Sequence, residues 1–191
     1  IYDSRVINTG QVCNCAERVY VQRKVADEFT SRIAARMAGT LYGDPLAQPD
    51  VAMGPLVSQA GLDKVAGMVD RARAAGASIV QGGRKANRDK GYHYEPTVIA
   101  NCSADMEIMR KEIFGPVLPI QVVDELDEAI ALANDSDYGL TSSIFTKDLN
   151  SAMRAVRDLQ FGETYVNREH FEAMQGFHAG RKKSGIGGAD G

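Results

Sequence analysis

Val117-Leu118-Pro119-Ile120-Gln121-Val122-Val123 is the stretch on which the fold turns. A strand with one face in water alternates apolar and polar residues, and this run does not. It reads as a strand buried on both faces, the kind found inside parallel sheets. Downstream, Leu126, Ala129, Ile130 and Ala133 have helical spacing, and Leu140 to Thr146 reads as a strand. Leu149, Ala152, Met153, Val156 and Leu159 then mark another helix, and Thr164 to Asn167 another strand. Upstream, Asp105 is expected to cap a short helix through Lys111, and Glu95 to Ala100 to enter a strand. Ser78 to Val80 is a short strand turned by Gly82-Gly83. Ser58 is a plausible N-cap for a helix with Leu62, Val65, Val69 and Ala72 on one face and Gly76 at its end. Val25, Phe29, Ile33 and Met37 recur every four residues in a further helix, closed near Gly39 to Gly43 with Pro45 beyond. Strands alternating with helices predict an α/β fold: a three-layer, doubly wound, mostly parallel sheet with helices on both faces. No internal repeat or linker interrupts it, and residues 1–191 read as one domain.

The 191 residues are 44% hydrophobic and 25% charged, enough for one sizeable core. A net charge of −3 argues against nucleic acid or anionic membrane as partner. No apolar run approaches the roughly 18 residues of a membrane span. Three cysteines, two of them a residue apart, argue against a disulfide framework and for a reducing cytoplasm. The chain opens at Ile1 without a methionine and ends in a glycine-rich tail, as if cut from something longer.

In a parallel sheet, ligands gather on loops at the carboxyl ends of strands. Three loops qualify: Asn8 to Arg18, Glu112 to Val117, and Arg168 to Gly180. The first holds Cys13 and Cys15 close behind Gly10, ahead of the alternating strand Arg18-Val19-Tyr20-Val21-Gln22. A thiol at a strand mouth can be presented to a substrate, and its thiolate would be the nucleophile. By residue type alone, Cys13, Cys15 and Cys102 stay open as nucleophile, redox pair, metal ligands or inert core thiols. Cys-x-Cys without a second pair or spaced histidines is weak for zinc. Cys102 reads as a buried thiol. Glu112 beside Phe114 suits a ribose diol and a flat ring, or a solvated carboxylate next to a core phenylalanine. Glu172 and His178 share the last loop with Arg168, Glu169 and His170. With no partner at helical spacing, His178 alone reads as surface. Gly185, Gly187 and Gly188 match a phosphate loop only superficially, and Arg181-Lys182-Lys183 reads as a solvated face.

Taken together, the motifs resemble the NAD(P)-dependent aldehyde dehydrogenase superfamily. Gly10-Gln11-Val12-Cys13 with Arg18 is similar to its nucleophile motif, and Glu112-Ile113-Phe114-Gly115-Pro116-Val117 to its cofactor-contact motif. Asn134-Asp135-Ser136-Asp137-Tyr138-Gly139-Leu140, Tyr165-Val166-Asn167 and Ser184-Gly185-Ile186-Gly187 follow in the family order. Within the superfamily, Cys13 to Arg18 and Arg168 to Asp190 look most like lactaldehyde and glycolaldehyde dehydrogenases.

The resemblance implies that Cys13 attacks an aldehyde to give a thiohemiacetal, that hydride passes to nicotinamide, and that water releases the acid from a thioester. It implies NAD, or NADP, as cofactor, with Glu112 on the nicotinamide-side ribose and Phe114 near the nicotinamide. Cys15 becomes a bystander. Asn14, Glu172 and His178 are expected to read the hydroxyl of a small hydroxyaldehyde, a polar group that needs a partner once desolvated. An acidic semialdehyde, met by Arg168, is the alternative substrate; an inactive fragment with a structural role is the alternative of another class. The family's dinucleotide-binding domain, oxyanion-hole asparagine and glutamate base lie upstream of the nucleophile, and its oligomerisation segment lies downstream. The expectation is therefore an isolated catalytic domain, inactive alone, from a parent that forms a homo-oligomer, dimer or tetramer.

Overall fold

The computed structural model describes residues 1–88, 90–172, 175–176, 178–186. The chain divides into two compact units, Ile1–Val122 and Val123–Gly191.

The first unit is built on a four-stranded sheet in the order β1-β4-β3-β2. These strands are β1 (Val19–Gln22), β2 (Ser78–Gln81), β3 (Thr97–Ala100) and β4 (Val117–Val123). β4 has the bounds expected from its apolar run, and it lies inside the sheet. It runs parallel to β3 with Val98 beside Leu118, while β2 runs antiparallel to β3.

Alternation along the strands sends side chains to two separate cores. Val98, Leu118 and Ile120 join Ile33 and Met37 of α2 (Arg23–Ala38). Ile99 and Val117 join Val65, Met68 and Val69 of α3 (Gln59–Ala74). The sheet thus carries one helix on each face, the layering predicted from the sequence. Ile99, Leu118 and Ile120 are fully buried, each worth about 2 kcal/mol of apolar transfer. Ser58 caps α3 as expected, its Oγ accepting from Gly61 N at 3.1 Å, and Gly76 follows at φ +99°.

One helix goes unannounced in the sequence, and one expected cap fails. A helix α1 (Tyr2–Val6) and a short 3-10 segment (Ile7–Gly10) precede β1, with no signal strong enough to announce them. The helix after β3, α4 (Glu107–Arg110), is capped by Met106 without a side-chain bond. Asp105 instead takes a hydrogen bond from Ser103 Oγ at 2.5 Å, a local contact that outcompetes capping.

The second unit holds two strand pairs. β6 (Thr141–Ile144) runs parallel to β7 (Glu163–Val166), and β5 (Tyr138–Gly139) antiparallel to β8 (Arg181–Lys182). Ile130 of α5 (Leu126–Asn134) packs with Ala155 of α6 (Leu149–Asp158), Leu159, Ile144 and Phe161. α6 occupies the expected residues but turns Ala152 and Ala155 inward, leaving Leu149, Met153 and Val156 exposed. The helix has more apolar surface than this small core covers. Among the described residues, no helix is long and apolar enough to cross a membrane.

Candidate active site

Cys13 stands at the corner of a turn closed by Cys15 N donating to Val12 O at 3.1 Å. The turn leaves Cys13 exposed and tucks Asn14 and Cys15 beneath it, 6% and 5% exposed. Burial pushes the Cys15 thiol up, with nearby Arg5 pulling the other way. Cys102 is buried as predicted, its thiol against Ile99 O at 3.8 Å and pushed up by burial to about 11. The three thiols therefore differ in access: Cys13 is exposed, and Cys15 and Cys102 are buried.

The approach to the turn is strained. Asn8, Thr9 and Gly10 have successive φ values of 45°, 60° and 74°. Left-handed backbone costs a non-glycine residue about 1–2 kcal/mol, and for a β-branched residue such as Thr9 it is rare. Side chains hold it: Thr9 Oγ1 donates to Gly54 O at 3.0 Å, and Gln11 Oε1 accepts from Val57 N at 2.9 Å. Strain held in this way belongs to sites whose geometry matters.

Arg5, wholly buried, organises the loop from below. Its Nη1 donates to Ala16 O and to Glu17 Oε2, both at 2.9 Å, and its Nη2 to Gly10 O at 2.7 Å. The other Glu17 oxygen accepts from the backbone N–H of Ile113. Gly10 meets the same segment directly, since a Cβ there would lie 2.3 Å from Gly115 O. One buried cation and one carboxylate thus fasten the cysteine loop to the Glu112–Val117 segment.

On that segment Ile113 and Gly115 face inward, while Glu112 and Phe114 are exposed. Phe114 is left-handed at φ 56°, which turns its ring out between two buried neighbours. An exposed carboxylate and an exposed aromatic ring one residue apart suit a diol and a flat heterocycle, the groups of a nicotinamide nucleoside. Neither Arg5 nor Glu17 was singled out from sequence. The available signal was a second charged residue, Glu17, inside the motif that ends at Arg18.

Glu172 and His178 lie in the second unit, both half-buried. His178 does have a fixed partner, against the surface reading: its Nδ1 lies 2.9 Å from Glu163 Oε1. That partner comes from a strand fifteen residues away, which helical spacing cannot reveal. Tyr165 OH donates to the other Glu163 oxygen, and Arg168 sits over the Tyr165 ring at 4.9 Å. Burial, then the bond to Glu163, then the charges of Glu163 and Glu172 push the Tyr165 phenol up.

Other motif residues act as clips. Asn134 donates to Asp158 O at 2.9 Å and accepts from Gln160 N at 2.8 Å. Asn167 brackets Thr146 through both its N–H and its carbonyl, at 2.9 and 2.8 Å. Ser184 Oγ accepts from Gly139 N at 3.0 Å. Lys182 and Lys183 are exposed but engaged, Lys182 Nζ with Asn134 O at 2.6 Å and Lys183 Nζ with Asp137 Oδ2 at 2.7 Å. Gly187 and Gly188 lie outside the described residues.

Comparison with known proteins is consistent with this geometry. The whole chain, residues 1–191, matches the model of the aldehyde dehydrogenase family. It is 58% identical to the lactaldehyde dehydrogenase of Escherichia coli, over 100% of this chain and 40% of that protein. A 3,6-anhydro-alpha-L-galactose dehydrogenase of Streptomyces coelicolor is 45% identical over 99% of this chain and 39% of its own. The crystal structure of the Escherichia coli lactaldehyde dehydrogenase superposes with a TM-score of 0.96 at 57% identity, covering 100% of this chain and 40% of that one. A betaine aldehyde dehydrogenase of Staphylococcus aureus in complex with NAD+ superposes at 0.91 and 36% identity, covering 97% of this chain and 37% of that one. The chain spans about 40% of the length of the curated relatives it matches.

Proposed function

Because the chain belongs to the aldehyde dehydrogenase family, we propose that it is the nucleophile-bearing catalytic domain of an NAD(P)-dependent enzyme. The substrates of that enzyme are small hydroxyaldehydes of the lactaldehyde and glycolaldehyde kind. The observation that carries this reading is the placement of Cys13. It is exposed on a loop that Arg5 and Glu17 fasten to the segment bearing Glu112 and Phe114.

Cys13 Sγ, as thiolate, attacks the aldehyde carbon, and the carbonyl electron pair moves onto oxygen. The backbone N–H of Cys13 supplies part of the site that stabilises this alkoxide. Glu112 would hold the ribose hydroxyls of the cofactor, and Phe114 would pack beside its ring. NAD or NADP, when bound, would supply the hydride acceptor that this oxidation needs. The thioester left on Cys13 is cleaved by water, which releases the carboxylic acid and returns the thiol. Cys15, buried beneath the turn, takes no part.

Within the second unit, Glu172 and His178 are the partners on which choice of the hydroxyl rests. A pocket built to hydrogen-bond a hydroxyl rejects the analogue that lacks it, because its own polar groups are then stranded. The acidic semialdehyde alternative is weakened by the state of Arg168, which sits over Tyr165 and pairs with Glu169 at 3.4 Å.

The test is oxidation of lactaldehyde by the NAD-loaded enzyme carrying Cys13→Ala or, separately, Cys15→Ala. The first should abolish turnover and the second should keep it. Retained turnover with Cys13→Ala would overturn the assignment.

A further inference from the structure

We infer that Glu163 is a positioning residue for substrate selection, fixing the His178 imidazole as a hydrogen-bond acceptor for the hydroxyl of a hydroxyaldehyde. The inference rests on the proposed reading of His178 as a substrate contact. Its own basis is the arrangement of Glu163, Tyr165 and His178 within one unit.

Glu163 and Tyr165 lie two apart on β7, so their side chains share one face of the strand. β7 is held against β6, with Thr141 beside Glu163 and Ser143 beside Tyr165. The main chain of Glu163 is fixed again where its carbonyl accepts from Ser142 Oγ at 3.1 Å. His178 stands on coil and gains its fixed direction from the strand side chain. Both are largely shielded, with side chains 12% and 13% exposed for Glu163 and His178.

The protons follow from the donor inventory. An ionised carboxylate only accepts. Its Oε2 takes the Tyr165 O–H, and its Oε1 takes the hydrogen on His178 Nδ1. In a neutral imidazole with Nδ1 protonated, Nε2 is an acceptor. That polarity matches the O–H of a hydroxyaldehyde and offers nothing to a hydrocarbon aldehyde. Glu163 acts here as an acceptor; its charge is not essential. A glutamine can reproduce the pair, its carbonyl receiving Nδ1–H and its amide donating to the Tyr165 oxygen, whereas leucine cannot.

The experiment compares kcat/KM for lactaldehyde with that for propanal in the NAD-loaded enzyme. Glu163→Leu should lower the lactaldehyde-to-propanal ratio about tenfold with the propanal value retained, and Glu163→Gln should restore most of it. A purely structural role would depress both substrates together, and that outcome overturns the inference. His178→Phe separates the two levels of the argument. If it lowers the ratio while Glu163→Leu does not, the positioning role fails and the substrate reading stands. If His178→Phe leaves the ratio unchanged, the substrate reading fails and the inference with it. An independent readout needs no turnover: 15N NMR of the histidine ring should show the neutral form of His178 carrying its hydrogen on Nδ1. A dominant Nε2–H form in the unsubstituted protein overturns the inference even where Glu163→Leu fails to fold.

Discussion

Arg5 and Glu17 meet at 2.9 Å with the guanidinium wholly buried, and Glu17 passes the link on to the backbone of Ile113. The pair joins the two motifs that a chemical step would bring together. It also creates a dependence. Arg5 Nε has no hydrogen-bond partner among the described residues, so Glu17 and two backbone carbonyls carry the neutralisation of a buried cation.

Glu17→Ala should therefore destabilise the protein by about 3 kcal/mol, because it strands a buried charge and removes the acceptor of Ile113 N–H. Glu17→Gln, which keeps an acceptor, should cost less. Urea denaturation of both variants checks this; equal stability of wild type and Glu17→Ala would contradict the role given to the pair.

Two glycines of positive φ separate strain from contact. Gly76→Ala meets nothing within 4 Å and should cost only the left-handed conformation, about 1–2 kcal/mol. Gly10→Ala adds an overlap with Gly115 O, and should cost about 3 kcal/mol or more. It should also slow alkylation of Cys13, since the turn cannot shift without carrying the thiol. Thermal melts of the two variants side by side give the comparison.

Thiol reactivity should be ranked by burial. With iodoacetamide at pH 7, Cys13 should be carboxamidomethylated at least about tenfold faster than Cys15 or Cys102, whose thiols are withheld and raised. Peptide mapping after timed quenching reads the order, and early labelling of Cys15 would refute the described turn.

Cys102 makes a prediction in pH. Its folded pKa is raised from 9.0 to about 11, so the folded state holds the proton more tightly than the unfolded state. The associated stabilisation is fully present below about pH 9 and is lost as pH climbs toward 11, a term of about 2 to 3 kcal/mol at most. Cys102→Ala lacks this term. The stability gap between wild type and variant should narrow over that window, as measured by urea unfolding at pH 7.5 and 10.5.

Much of the fold was legible because it depends on local pattern. The nearly continuous apolar run of β4, the spacing of Leu62, Val65, Val69 and Ala72, and the cap at Ser58 each express a rule acting over a few residues. Where expectation failed, a rival at the same range won. Asp105 bonded Ser103 instead of capping a helix, and α6 kept its period while turning its alanines inward. The ordered motifs pointed to the chemistry and to Cys13 as the residue to present. The residues alone set Cys102 apart as a buried thiol and left Cys13 and Cys15 undivided.

The sequence by itself determined the alternation of strands and helices from β1 to β7, the doubly covered sheet and the membership of a family. Only the tertiary structure decided that Cys15 is buried beneath the turn, that Arg5 and Glu17 clamp the cysteine loop to Ile113, and that Glu163 holds His178. The reason is physical. Periodicity and capping are short-range and are written in consecutive residues. A bond between Glu17 and Ile113 spans ninety-six positions, and that between Glu163 and His178 fifteen; both depend on where folded backbone brings the groups.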